Sequence, residues 1–487
     1  MKIAVVGSGL IGYVISNYLC AGGNEIECIS PSIDTYENEV AKSKEDIIKY
    51  KGPVSPKFLR KDFQKSKYVS DYLLKKECND FSGIEIIDDI GLARYWGANL
   101  AVKGLKEDID ALKLSEQEYK YLNSILPQLD VLNFYNKIYP KYKINNINKF
   151  MNKINAFEST KIHSSILAIW ESKIDKDNLP DERKNKAIFG SDFNVDKQYK
   201  KIKGYVEKVI FSKDDESKHS LMINNGKGVT KHKYDFIIIA CGALGSYRLI
   251  TNSLQNNNIK KHFVRLLHHP TLVSLSFVPK IKYPNEYISM SNFDVFMKSE
   301  YGNLYINFFP FKGALKAIYR EKLKASHIKY IKRKISFLIN RMPDIPIFPG
   351  WWLNRLYVSN IYVPANFTAS YISNNNGCIN IIGAYRFDFD KVIMKRAWSF
   401  IKKQLLKQKI YTIVNRPKLV QKGGDMHYSS SLINYTDING NLFYRNKKYK
   451  NILIVDSSSS RKLPSPNPSY FFIARAIKLV RNLKSIT

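Results

Sequence analysis

Apolar positions along the chain switch between two periods. Ile3-Ala4-Val5-Val6 is a short apolar run of strand type, GSGLIG at 7–12 interrupts it, and YVISNYLCAGG at 13–23 has the amphipathic spacing of a helix closed by a glycine pair. Glu25–Ser30 (EIECIS) reads as the next strand. Helical spacing returns in LSEQEYKYLNSIL at 114–126, and 202–223 alternates as strands do. Tyr234–Ala243 is a continuous apolar run ending in small residues, suited to a buried parallel strand, and Leu244–Leu254 reads as a helix. Between 264 and about 395, runs such as TLVSLSFV, ISMSNFDVFM, NLYINFFPF and CINIIGAYRF alternate with period two, as an antiparallel sheet does. A basic helical stretch, Leu315–Asn340, interrupts them. The style of the first residues then returns: Asn451–Val455 is an apolar strand, a loop carries Pro464, Pro466 and Pro468, and a helix runs from about Pro468 to Leu483 with Asn467 at its N-cap.

This pattern predicts an α/β fold with two interleaved units, since single cores stop growing near ~250–300 residues and the chain has 487. Residues 1–263 and 411–487 form a Rossmann-like dinucleotide-binding domain, in which 35–190 is a helical and loop insertion. Residues 264–410 form an inserted antiparallel-sheet domain.

The glycines near the N-terminus carry the first chemistry. In a βαβ unit, Gly7 allows the tight turn, Gly9 lets the backbone approach a pyrophosphate, and Gly12 permits close helix–strand packing. The helix N-terminus then offers free N–H groups and a positive dipole end. Those glycines also argue against reading this apolar stretch as a signal peptide. The acidic residue that usually holds the adenosine ribose would fall at the end of the second strand, where Ser30 stands instead. Glu27 lies inside that strand and Asp34 beyond Pro31.

Composition narrows the remaining classes. No apolar run reaches the ~18–20 residues of a membrane-spanning helix. Five scattered cysteines without a CxxC pair give neither a disulfide framework nor a zinc site, which fits a reducing cytoplasm. No histidine has metal-ligand spacing with a partner, so no metal is assigned. No GxSxG nucleophile segment is present. The net charge of +34 favours acidic surroundings such as anionic lipid or phosphorylated small molecules, and it also fits a Lys-, Asn- and Ile-rich coding bias. Nucleic acid is disfavoured because no recognisable DNA- or RNA-binding module occurs.

Four segments, in order, resemble the glucose–methanol–choline (GMC) oxidoreductases. GSGLIG at 7–12 is similar to that family's FAD pyrophosphate loop. GLARYWGAN at 91–99 is similar to its glycine-rich segment beside the flavin, DFIIIACGALGSYRLI at 235–250 to its strand and helix at the adenine half, and NILIVDSSSSRKLPSPNPSYFFIARAIKLV at 451–480 to its C-terminal signature. The resemblance implies FAD as cofactor, contacted by Gly7, Gly9, Gly12, Trp96, Gly97, Ala98, Ala240, Gly242, Asp456, Ser457 and Pro468. It implies His427, in GGDMHYSSSL, as the catalytic base and Asn467 as its partner. The implied reaction is oxidation of a CH–OH group by hydride transfer to flavin N5. Substrates of the bacterial, polysaccharide-associated relatives suggest a sugar, polyol or glycan precursor, including phosphorylated or lipid-linked ones. Arg94-Tyr95 places bulk where small residues are common, and Ser429-Ser430-Ser431 stands where relatives often have Gly-Thr. A protein that keeps FAD without catalysis is the alternative.

The stretch 315–356 mixes Lys and Arg with Ile, Leu and Phe and ends near Trp351-Trp352. Two readings stay open: a helix lying on the anionic inner face of a membrane, or a solvated helix packed on the substrate sheet. His268-His269-Pro270 reads as a structural turn, with the substrate cavity as its other option.

Overall fold

The computed structural model describes residues 1–31, 99–138, 160–171, 174, 199–212, 218–254, 263–283, 291–300, 302–311, 354–365, 368–375, 378–384, 389–414, 417–419, 427–444, 447–465 and 467–484. Trp96, Gly97, Ala98, Asp34 and the basic stretch at 315–353 lie outside them.

In chain order the main elements are β1 (Lys2–Val6), α1 (Leu10–Cys20), β2 (Glu25–Ser30), α2 (Glu116–Ile125), β3 (Thr160–Ser164), β4 (Lys200–Lys203), β5 (Tyr205–Ile210), β6 (His219–Asn224), β7 (Val229–Tyr234), β8 (Phe236–Ile239) and α3 (Gly242–Leu254). They continue with β9 (Val264–Leu266), β10 (Thr271–Phe277), β11 (Phe293–Ser299), β12 (Gly302–Pro310), β13 (Leu356–Tyr362), β14 (Ala369–Asn375), β15 (Cys378–Ala384), α4 (Phe389–Lys407), β16 (Asn441–Tyr444), β17 (Lys447–Ile454) and α5 (Ser469–Lys484).

The first layer is a six-stranded sheet in the order β16-β17-β8-β1-β2-β4, parallel except for its β16 edge. Its centre is built from apolar strands because both faces are covered. Val5 pairs with Ile238 on one side and Cys28 on the other, and Ile238 pairs with Leu453, all within the core. Glu27 is the charged exception, and its burial is compensated. Lys200 Nζ lies 2.8 Å from Oε1, Tyr234 donates its hydroxyl to Oε2 at 2.8 Å, and Lys2 Nζ stands 3.4 Å away. Against desolvation, these partners hold the carboxyl below its ordinary range. Glu27 is thereby engaged inside the sheet.

Helices α1 and α5 pack on each other beside this sheet. Helix α2 joins them: Ser115 and Glu118 form a reciprocal capping box at its start, Tyr121 donates to the Val14 carbonyl at 2.9 Å, and Arg481 of α5 reaches Glu118 at 3.1 Å.

The second layer is a seven-stranded antiparallel sheet built on the order β10-β13-β12-β11-β3, with two short strands, Tyr411–Thr412 and Lys418–Leu419, also pairing β10. Strand β3 comes from within the 35–190 stretch read as helical and loop, and it closes the edge beside β11. Alternation divides this sheet into two faces. Ile162, Val295, Ile306 and Ile361 occupy one register row on the fully buried face. Their neighbours in sequence point to the other, partly accessible face. Two three-stranded sheets, β5-β6-β7 and β9-β14-β15, and a two-stranded pair, Leu129–Asp130 with Ile166–Leu167, complete the described sheets. The apolar run at 234–243 contains a break: Tyr234 ends the exposed hairpin strand β7, and the buried strand begins at Phe236.

Candidate active site

The nucleotide cradle is set by contacts that only glycine satisfies. Gly7 has φ +101°, and a Cβ there would stand 2.5 Å from the Ala240 carbonyl oxygen. A Cβ on Gly12 would lie 1.8 Å from the Gly7 carbonyl oxygen, so α1 meets the turn with no room for a methyl group. Gly9 takes the N-cap position in extended backbone, with no side-chain cap and no acidic residue in the first turn. The free N–H groups at this end can hold a dinucleotide pyrophosphate. At the end of β2, Ser30 is buried and its Oγ has no hydrogen-bond partner among the described residues. That orphaned hydroxyl, where an adenosine ribose would lie, fits a bound dinucleotide.

The second half of the cradle is knitted around Asp456, just after β17. Asp456 Oδ2 accepts from Gly242 N at 2.8 Å and from Ser246 Oγ, while Oδ1 accepts from Ser458 N at 2.9 Å and from the Ser458 hydroxyl. Burial pushes this carboxyl up, against those hydrogen bonds. Asp456 thus fixes the β8–α3 turn, where Gly242 has φ +78° and open space where its Cβ would be. Ala240 N donates to Val6 O at 2.8 Å, keeping the strand ends level.

Arg475 of α5 is buried in the run FFIARAIKLV and donates to Asp456 O at 3.3 Å, Ser459 Oγ at 3.0 Å and Ser459 O at 3.1 Å. An arginine inside an apolar helical stretch was the sequence signal for this anchor. Ser457 O accepts from Ser430 N at 3.1 Å. Ser430 itself has φ +70°, a conformation favouring glycine, and its hydroxyl donates to Ser460 O at 2.6 Å. The serine triplet therefore keeps a glycine-type turn by hydrogen bonding it in place.

Where the loop meets the antiparallel sheet, three rings converge. His427 lies with its ring centroid 5.8 Å from His269 and 5.6 Å from Tyr362, and His269 stands 6.0 Å from Tyr362. His427 keeps part of its surface accessible while its Nδ1 is buried. Burial, with His269 as a lesser cause, pushes its pKa down to about 3, so the imidazole is neutral at ordinary pH. Burial likewise lowers His269 to about 4, opposed by the nearby Val363 and Pro464 carbonyls, with Val363 O 3.2 Å from Nδ1. His269, read from sequence as a structural turn, therefore touches the sheet, the proline loop and His427. The substrate cavity is the other option the sequence leaves for this segment; its partners Val363 and Pro464 are distant in the chain and give no local sign.

Asn467 sits at the start of α5, buried, with Oδ1 accepting from Ser469 N at 3.2 Å and Ser469 Oγ at 3.0 Å. This is the N-cap expected from sequence. Pro468 follows it, and its carbonyl accepts from Phe472 N at 2.9 Å. No direct contact between His427 and Asn467 is described; His269, through Pro464, links the two segments.

Asn99, the last residue of the glycine–aromatic stretch, is pinned under the same sheet. Its Nδ2 donates to both oxygens of Asp294 at 3.0 and 3.2 Å, and Ser165 and Ser291 donate to Asp294 Oδ1 at 2.8 and 3.0 Å. Burial raises the Asp294 carboxyl to about 6, against these donors and the Tyr305 hydroxyl. Sequence reading singled out neither Asp294 nor Tyr305, since both sit in ordinary strand alternation. No group of metal-ligating side chains occurs among the described residues, and no described helix is long and apolar enough to cross a membrane.

No protein-family model and no curated protein matches the chain. Solved structures do. Pyridoxine 4-oxidase from Mesorbium loti aligns at 11% identity and TM-score 0.57, covering 99% of this chain and 98% of that one. Formate oxidase aligns at 11% identity and TM-score 0.56 with the same coverage. A variant of the Aspergillus oryzae RIB40 formate oxidase, solved for its effect on FAD modification, reaches TM-score 0.58 at 11% identity. At that identity the likeness concerns architecture, and over its whole length the chain has the fold of the GMC-type flavin oxidases.

Proposed function

We propose that the protein is an FAD-dependent oxidoreductase that oxidises a CH–OH group of a small hydroxylated molecule, a sugar, polyol or glycan precursor. The observation that carries this reading is the neutral His427 imidazole, set against His269 and Tyr362 where the antiparallel sheet meets the proline loop. The Gly7–Gly12 cradle, the uncapped start of α1 and the orphaned Ser30 hydroxyl suit the adenosine diphosphate half of FAD. Bound FAD supplies the hydride acceptor.

The chain's own groups manage the proton and the orientation. Because Nδ1 of His427 is buried, Nε2 is the nitrogen that takes the hydroxyl proton as the carbinol carbon gives up hydride and becomes a carbonyl carbon. Asn467 uses Oδ1 in capping, which leaves its Nδ2 to donate to the substrate oxygen. The rings of Tyr362 and His269 pack against His427 and hold it in place, leaving part of its surface open to a substrate.

The test is an absorbance spectrum of the purified protein, followed by anaerobic incubation with a panel of sugars and simple alcohols. Peaks near ~370 and ~450 nm that bleach with a substrate support the proposal. His427→Ala should keep the peaks and slow bleaching by about 100-fold or more. Flavin that no alcohol or sugar bleaches would favour a silent FAD-binding protein, and a protein that takes up no FAD would sink the whole reading.

A further inference from the structure

The partly accessible face of the antiparallel sheet carries one row in strict register that is polar over four strands and ends at an apolar residue on the fifth. His163 of β3 pairs with Asp294 of β11, Asp294 with Asn307 of β12, Asn307 with Asn360 of β13, and Asn360 with Val273 of β10. Residues directly opposite in antiparallel strands share a face, with Cβ atoms roughly 4.5–5.5 Å apart. The row is therefore one continuous strip.

Its two ends differ. At the β3 side, Asp294 is saturated by Asn99, Ser165 and Ser291. Toward β13, the Asn307 side chain is 3% exposed and its Oδ1 is buried with no hydrogen-bond partner. Asn360, half-buried beside it, makes no described side-chain hydrogen bond either. A buried carboxamide left without a partner carries its full desolvation penalty, so Asn307 is expected to meet a ligand, and Asn360 beside it is the member of the pair open to the sheet's accessible face.

The position of this pair says which ligand. One dipeptide step along the same face, about 6–7 Å away, are Tyr305 and Tyr362, themselves a register pair with ring centroids 6.2 Å apart. Tyr362 is the ring that touches His427. A molecule with a reacting carbon at His427 and further hydroxyls two or more carbons away would cross Tyr362 and reach the two amides.

The row holds no lysine or arginine. Its histidine is kept neutral by burial beside Lys103 and Lys161, and its one carboxyl repels an anion. Lys161 and Lys298 stand on this face only at the outer β3–β11 edge, exposed to solvent. Carboxamides offer a donor and an acceptor each without charge, which suits hydroxyl groups.

Resting on the oxidoreductase reading above, we infer that Asn307 and Asn360 are specificity-determining residues that bind an uncharged polyhydroxylated substrate, in preference to its phosphate ester. The ligand lies along the Tyr305–Tyr362 pair, and the two amides hold the hydroxyls remote from the reacting carbon.

The protein as purified is titrated by calorimetry with D-glucose, D-glucitol and myo-inositol, and with D-glucose 6-phosphate as the anionic counterpart. This reads the row whether or not flavin is present. At least one neutral probe should bind, and more tightly than the phosphate ester. Asn307→Ala and Asn360→Ala should each weaken that probe by about 3- to 10-fold, the yield of one lost hydrogen bond. With a turned-over substrate the loss should enter KM more than kcat. Melting temperature and flavin content provide the fold control, and Asn360→Ser, at the half-buried position, is the variant least able to disturb the core. Tighter binding of the phosphate ester, no binding of any neutral probe, or unchanged affinity in folded Asn307→Ala and Asn360→Ser would overturn the inference. If those variants behave as wild type while His427→Ala abolishes bleaching, only the row fails. If no flavin is ever bound, the oxidoreductase reading fails on its own readout.

Discussion

At the scale of single residues, the cradle depends on two glycines with no room for a side chain, Gly12 against Gly7 and Gly7 against Ala240. A methyl group on Gly12 would meet the Gly7 carbonyl at 1.8 Å, and Gly7 cannot yield because its own backbone lies against Ala240. Gly12→Ala should cost about 1–3 kcal/mol through overpacking and displace the loop. A lower melting point and no ~450 nm flavin peak after FAD addition would be the outcome; normal FAD uptake would argue that α1 does not carry the pyrophosphate. Asp456 is the second pivotal residue. Asp456→Ala would leave the Ser246 and Ser458 hydroxyls and the Ser458 N–H buried and unmatched, and would free the half-buried Gly242 N–H. Removing such a hub should destabilise the fold by about 2–5 kcal/mol, read as a lower urea midpoint at unchanged m-value. Retention of wild-type stability would show that water replaces the carboxylate.

Helix α5 separates two roles that coincide at Asn467. Its Oδ1 caps the helix, and its amide is the proposed donor to substrate. Asn467→Ala should lose both, costing about 1 kcal/mol of stability along with activity. Asn467→Ser should restore the cap, and with it most of the melting temperature, while activity stays low. Full activity in the serine variant would confine Asn467 to capping. The cap was legible in the sequence, as were the strand–glycine–helix start, the buried strand at Phe236–Ile239 and most of the period-two strands, because each is a local pattern of burial. Other parts were not legible, for a common reason. β3 is a short strand, TKIHS, whose place in the sheet is fixed by pairing with β11 about 130 residues away. His269 and Asp294 look ordinary in their own segments, and become part of the site only when Pro464, Asn99 and Ser165 are brought to them. Glu27, set aside in the sequence because it lies inside its strand, is engaged there by Lys200 and Tyr234, partners 173 and 207 residues away.

For the molecule as a whole, the buried titratable groups set the sign of its acid response. His163, His269 and His427 are lowered by burial to about 4, 4 and 3. The unfolded chain protonates such groups near ~6.5, where the folded protein stays neutral. Their contribution is thus present above that value and lost as pH falls toward the folded values. Asp294 acts oppositely. Raised to about 6, it binds a proton in the folded protein while the unfolded carboxyl stays ionised down to ~3.9. It therefore favours folding at low pH and loses that contribution as pH rises through 6. Asp456, also raised by burial, acts in the same sense as Asp294. Three histidines outweigh these two carboxyls, so unfolding free energy should climb between about pH 4.5 and 6.5 and level off above. The slope is at most about 2–3 kcal/mol per pH unit, and less because His163 and His427 keep some surface in water. Urea titrations across this range read it directly. Replacing His427 by alanine should flatten the rise, and Asp294→Asn should steepen it while lowering stability throughout, since an amide NH2 would face the Ser165, Ser291 and Asn99 donors. The same lowered pKa predicts that kcat/KM stays level down to about pH 5, with no acid limb near ~6.5. A limb at that value would mean His427 is solvated when it acts, and a stability curve that falls with rising pH would mean these histidines are not buried as the fold places them.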